Sequence, residues 1–188
     1  MMTRQEPSTD RTADRYASAG ARSRWVRIYA ASMSRITPFL WFDNNADEAV
    51  EFYLSVFANS SRMRQLDAEP GSTMTIGFEL DGQEFVALNG GPHFTFTPAV
   101  SFVVNCDTQD EVDYYWDRLT AGGAPSQCGW LTDRFGLSWQ IVPRCLPDYL
   151  AGADPEGAQR AMEAMMGMIK LSIPDLAAAY HGTGTSHE

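Results

Sequence analysis

Sixty-two residues separate two copies of one pattern. A short apolar run, Phe39-Leu40-Trp41-Phe42, gives way to polar residues and then to apolar side chains at Val50, Tyr53, Leu54 and Phe57. Phe102-Val103-Val104 is followed in the same way by Val112, Tyr115, Trp116 and Leu119. The i, i+3, i+4, i+7 spacing gives each copy one apolar helical stripe that must pack on something. Asn45–Glu48 and Thr108–Glu111 carry the helix-start signature of a capping side chain three residues before a glutamate. Gly122-Gly123 ends the second helix.

Each helix leads into strands. In Thr73–Leu80, Met74, Ile76, Phe78 and Leu80 share one face, with Thr73, Thr75 and Glu79 opposite. Asp81-Gly82 predicts a hairpin turn, and Gln83–Asn89 is the returning strand. In the second copy Leu131 and Trp139-Gln140-Ile141-Val142 flank a longer turn at Thr132–Gly136. The order β-α-β-β, twice over, predicts an α+β chain with helices on one face of its sheets. The other face is free to form a cavity or to meet a partner.

The two modules are expected over about 36–91 and 99–146, within a domain at 33–147. Residues 1–32 are Arg-, Ser- and Ala-rich without apolar period, and they read as a disordered extension. Residues 148–188 read as a helical tail. Asp154-Pro155 opens a helix with Met162, Met165, Met166 and Ile169 on one side, and Ile173–Tyr180 adds a further turn or two. A Met stripe at this spacing is expected in the core or in a dimer seam.

Charge narrows the partners. The net charge is −10, and six arginines against three acids in residues 1–32 (+3) leave −13 on the rest. That balance argues against nucleic acid or an anionic membrane and is compatible with a field that attracts small cations. No apolar run reaches the roughly 18 residues of a membrane span. The three cysteines, Cys106, Cys128 and Cys145, are odd in number and form no CxxC. They read as free thiols of a reducing, cytoplasmic compartment.

Chemistry-bearing residues are few. Gln140 is an amide in an apolar strand. It is either a metal ligand, a pocket hydrogen-bonder or a solvent-facing residue. Trp41, Phe94, Phe96, Trp130 and Trp139 are interleaved with Asn89, His93, Asp133 and Gln140, the mix of an apolar cleft with a few placed polar groups. Trp41, Asn89, His93, Phe94, Trp130 and Gln140 are the candidate ligand-binding residues. Asn89-Gly90-Gly91 reads as a turn rather than a nucleotide loop, because Pro92 and no helical pattern follow.

Four stretches resemble the PhnB-like branch of the vicinal oxygen chelate (glyoxalase, bleomycin-resistance) superfamily. They are FLWFDNNADEAVEFY at 39–53, ELDGQEFVALNGGPHFTFTPAVSFVVNC at 79–106, VDYYWDRLTAGG at 112–123 and CGWLTDRFGLSWQIVP at 128–143. The resemblance implies tandem β-α-β-β-β modules, C-terminal helices and a homodimer. Members of this branch are sometimes labelled 3-demethylubiquinone 3-methyltransferase.

The superfamily's metalloenzymes hold a divalent ion with four ligands on cavity-facing strands. The resemblance puts those positions at Thr37 or Pro38, at Ala87, near Ala99 and at Gln140. Only Gln140 is of ligand type, and a catalytic metal needs about three protein ligands. The expectation is therefore a metal-free, cofactor-free dimer that binds a small organic molecule in an aromatic cleft. The alternatives are a lyase, isomerase or dioxygenase with a non-standard or intersubunit metal, or a structural dimer without ligand. The catalytic residues stay open, and the residues give the methyltransferase label no support.

Overall fold

The structure, a computed structural model, describes residues 35–69 and 72–183. The extension expected over 1–32 lies outside the described residues. The first module runs β1 (Phe39–Phe42), α1 (Ala46–Val56), β2 (Ser60–Glu69), β3 (Ser72–Leu80) and β4 (Gln83–Asn89). The second runs β5 (Ser101–Cys106), α2 (Gln109–Thr120), β6 (Ala124–Pro125), β7 (Trp130–Thr132) and β8 (Ser138–Pro143). The tail forms α3 (Leu146–Leu150), α4 (Pro155–Gly167) and α5 (Ile173–His181).

The duplication extends to the hydrogen bonds. Each module makes a four-stranded sheet, in the orders β1-β4-β3-β2 and β5-β8-β7-β6. The first and last strands of each module pair in parallel, and the other pairings are antiparallel. This is the expected α+β pair of β-α-β-β-β modules.

The helical stripes go where their spacing sends them. Val50 and Tyr53 of α1, and Val112 and Leu119 of α2, are wholly buried. They meet the inward faces of both sheets, among them Leu40, Ile76, Phe78, Leu131 and Ile141, in one shared core. Burying each such aliphatic side chain contributes roughly 1.5–3 kcal/mol. Both sheets turn their inner faces to a common core, so their outer faces look away from it. Phe39 of β1 and Val103 of β5 lie on those outer faces, at the two sheet edges, and are 46% and 47% exposed.

β2 has no counterpart in the β-α-β-β reading of the residues. It is an edge strand, SSRMRQLDAE, with shifts of register against β3. Arg62 ties it to α1 through Asp47 at 2.7 Å and Glu51 at 2.6 Å.

The helix starts differ. Thr108 accepts a hydrogen bond from the Glu111 amide at 3.2 Å, as its signature predicts. Asn45 makes no side-chain cap. The cap of α1 comes from across the sheet, where Asn89 Oδ1 accepts from the Ala46 amide at 2.8 Å. At the hairpin, Asp81 and Gly82 both take positive φ, 49° and 83°, the backbone of a type I′ turn.

The tail packs as three helices. Arg160 donates to the carbonyls of Ala179 and Tyr180 at the end of α5, at 3.0 and 2.7 Å, where a cation also meets the helix dipole. Gln109 holds the chain between α4 and α5, donating to Leu171 O and accepting from the Ile173 amide. The side of α4 that packs inward is Gly157 and Ala161. Met162, Met166 and Ile169 are 41%, 57% and 56% exposed, so the Met stripe does not enter this chain's core. Among the described residues no helix is long and apolar enough to cross a membrane.

Candidate functional site

Strand alternation in β8 separates two roles. Trp139 is 3% exposed and packs on Tyr53, Phe57 and Phe102 with ring centroids 5.6–5.7 Å apart. Gln140 points the other way, half-buried on the outer face of the second sheet. There it stands opposite Val103 and Trp130 in the strand register. Its Nε2 donates to Ser101 Oγ at 2.9 Å.

A second group forms at the end of β1. Trp41 lies on the outer face of the first sheet, and its indole N–H donates to Gly91 O at 2.8 Å. Phe94 meets Trp41 edge-on at 5.0 Å and is 67% exposed. A Cβ on Gly90 would stand 2.3 Å from the Trp41 ring, so the indole lies against bare backbone there. His93 is exposed on the same loop, its amide bonded to Gly91 O at 2.9 Å.

Asn89 does not share the Trp41 face. Its oxygen caps α1 and its Nδ2 donates to Thr73 O at 3.1 Å, so both ends of the amide hold the fold.

Asp133 is likewise no wall of an open cleft. It is 2% exposed and accepts four hydrogen bonds. Tyr53 Oη and Trp139 Nε1 donate to one oxygen at 2.8 and 2.9 Å. The amides of Phe135 and Leu137 donate to the other at 2.9 and 3.0 Å. Burial pushes the Asp133 carboxyl above its ordinary range, and the four donors pull against that shift. Four donors with no facing acceptor is an environment made for the anion. Burial and the neighbouring Asp133 charge raise the Tyr53 hydroxyl well above the usual tyrosine range. The pair joins α1 of one module to the β7–β8 hairpin of the other.

The residues do not fit the superfamily's divalent metal. Ala87 pairs with Leu40 and Ile76 and is fully buried on the helix side, not the cavity side expected of it. The outward neighbours on β4 are Val86 and Leu88, neither a ligand. Thr37 or Pro38 and Ala99 supply none either, so Gln140 stands alone of the four positions. Among the described residues no three His, Cys, Asp or Glu side chains gather where they could hold a metal ion. The two strand-to-helix turns, Asp43-Asn44-Asn45 and Asp107-Thr108, contain no glycine to let a phosphate approach the backbone.

Nor is Cys106 a reactive centre. Cys106 is buried, and burial, with Glu111 and Asp107 adding to it, pushes its pKa up to about 11. A thiol so held is a poor nucleophile at neutral pH.

Of one further feature, the sequence marks only Trp139 among the cleft aromatics. Where the β3–β4 turn of the first module meets β5 and α2 of the second, a cavity of about 520 Å³ opens. Phe57, Phe85, Phe102, Tyr115 and Trp139 give it aromatic walls. None of the six candidate ligand-binding residues lines it. Apart from Trp139, its residues read in the sequence as helix stripe, hairpin turn and strand, and only their convergence marks them.

Comparison with known proteins gives a consistent result. The family described as 3-demethylubiquinone-9 3-methyltransferase matches residues 34–142. A Bacillus cereus PhnB protein, which also carries the 3-demethylubiquinone-9 3-methyltransferase description, is 34% identical with a TM-score of 0.54. That match covers 58% of this chain and 99% of the other. Protein PA1353 of Pseudomonas aeruginosa is 21% identical with a TM-score of 0.50, covering 58% and 97%, a likeness of fold alone. No curated protein matches the chain.

Proposed function

The chain belongs to the PhnB-like family described as 3-demethylubiquinone-9 3-methyltransferase, in the vicinal oxygen chelate superfamily, and we propose that it acts as a homodimer binding a small organic molecule without a metal ion. One observation carries this reading. Trp41 with Phe94, and Trp130 with Gln140, lie on the outer faces of two sheets whose inner faces share one core. A single chain turns the two groups away from each other. A second copy, laying its second sheet over the first sheet of its partner, brings the groups together as one aromatic cleft. Gln140 supplies the polar contact, and the rings supply apolar area.

The family's description names a methyl transfer. The residues support no such step, because neither strand-to-helix turn can cradle a nucleotide cofactor and the Cys106 thiol is buried with its pKa raised. Binding is the activity that the side chains present account for.

A screen by thermal shift, with metals and with small organic compounds, tests the reading. Uncharged or singly charged aromatic compounds are expected to raise the melting temperature, and the gain is expected to fall in Gln140→Leu. Near-stoichiometric zinc, nickel or iron in protein purified without a metal-affinity tag, lost in Gln140→Ala, would replace this reading with a metalloenzyme.

A further inference from the structure

The cavity at the module junction shares Val103 with the outer face of β5 but holds none of the six candidate ligand-binding residues. Its volume, about 520 Å³, lies within the roughly 300–1,000 Å³ of small-molecule pockets. Phe57, Phe85 and Trp139, each under a tenth exposed, form the floor. Phe102 and Tyr115 are half-buried walls, set against Phe85 and Phe57 at 5.0 and 5.3 Å.

Acids outnumber bases in the lining by three to one. Asp81 from the hairpin, and Asp107 and Glu111 from the start of α2, line the mouth with a single base, Arg144. Arg144 is drawn to Asp107 at 3.2 Å. Among the described residues neither Asp81 nor Glu111 has a basic partner. Tyr115 in the lining, and Cys106 outside it, register the field. Burial first, then the charges of Asp81 and Glu111 among others, raise the Tyr115 hydroxyl. The Cys106 thiol is raised by burial and then by Glu111 and Asp107, with Arg144 opposing.

We propose that this junction cavity is a second binding site, taking a small organic cation that seats an ammonium group against the aromatic walls beneath Asp81 and Glu111. A cation over aromatic faces gains from their quadrupoles as well as from the carboxylates. An anion meets two uncompensated acids, and a neutral aromatic gains only the apolar floor. Both modules supply walls, so occupancy bridges them and stabilises the junction.

Titration calorimetry with benzyltrimethylammonium, benzyl alcohol and benzoate tests this on the full chain. The cation is expected to bind saturably, about ten-fold or more tighter than the alcohol, with benzoate silent. Added salt should weaken the cation. Asp81→Asn keeps the turn, since Asn tolerates positive φ, and is expected to weaken cation binding several-fold. Arg144→Gln removes the lone base and should tighten it. Equal binding of cation and alcohol would overturn the proposal, as would a cation affinity indifferent to both substitutions. A cation affinity that falls in Gln140→Leu and not in Asp81→Asn would place the probe on the sheet face and overturn it too.

Discussion

At the scale of single residues, β8 holds two neighbours with opposite duties. Trp139 fills the core and gives its indole proton to Asp133. Truncating it to Ala is expected to cost roughly 3–5 kcal/mol, read by urea unfolding. Gln140→Leu keeps the volume and is expected to leave the midpoint nearly in place, while binding of a cleft ligand weakens by roughly 1–3 kcal/mol. The reverse pattern would mean that the faces are exchanged. Tyr53 adds a pH dependence. Its folded pKa lies above the unfolded value of about 10. The stability it contributes is therefore whole below pH 10 and lost as pH rises through the folded value, at up to about 1.4 kcal/mol per pH unit. Unfolding measured from pH 8 to 11 should show that decline, and Tyr53→Phe should reduce its slope. At neutral pH the same substitution should cost about 1–3 kcal/mol, for a bond lost to the buried Asp133.

At the scale of elements, the two helices were legible in their stripes, but only one of their caps was. Thr108 caps α2 as its spacing from Glu111 predicts. At Asn45 the same signature fails because its backbone, at φ −116° and ψ 24°, is not the extended one a capping residue takes, and Asn89, distant in sequence, holds the Ala46 amide instead. Local patterns cannot reveal a cap brought in by sheet pairing. Asn89→Ala is therefore expected to cost about 1 kcal/mol, or roughly 2–4 °C in melting temperature. Asn45→Ala should stay within about 0.5 kcal/mol, and calorimetric melting of both variants separates the two caps. The strand β2 escaped a reading from the residues for a related reason. An edge strand that offers Arg62, Gln65, Asp67 and Glu69 to solvent and to α1 carries no alternation of apolar residues. Charged edges resist unwanted pairing, and they also hide the strand. The candidate site was legible in part. Trp41, Trp130 and Gln140 do face outward, as aromatic residues and an amide on a free sheet face should. Asp133 was misread as a pocket group. Its role depends on Tyr53, whose hydroxyl is invisible within an apolar stripe, and the junction cavity depends on side chains from five separate elements and turns.

At the scale of the whole molecule, the two modules share one core and one buried carboxyl group, yet leave apolar side chains on the outer faces of both edge strands. Phe39 and Val103 are nearly half exposed, and Phe94, against Trp41 on the first sheet's side, is two-thirds exposed. Edge strands with open backbone and apolar outer faces are poorly suited to water. The parallel pairings β1–β4 and β5–β8 put those edges at equivalent places in the two modules. A second copy can therefore cover both edges through a two-fold arrangement, first module on second and second on first, as an isologous interface requires. Light scattering at micromolar concentration is expected to give twice the chain mass of 20.8 kDa. Phe39→Asp puts a charge in the proposed seam without touching the core, so it should shift the mass toward 20.8 kDa while far-UV circular dichroism stays unchanged. If the cleft is built between copies, the same variant loses ligand binding along with the partner. A wild-type protein that scatters as a 20.8 kDa monomer would refute the shared cleft, and a Phe39→Asp monomer that still bound the cleft ligand would show that one chain is sufficient.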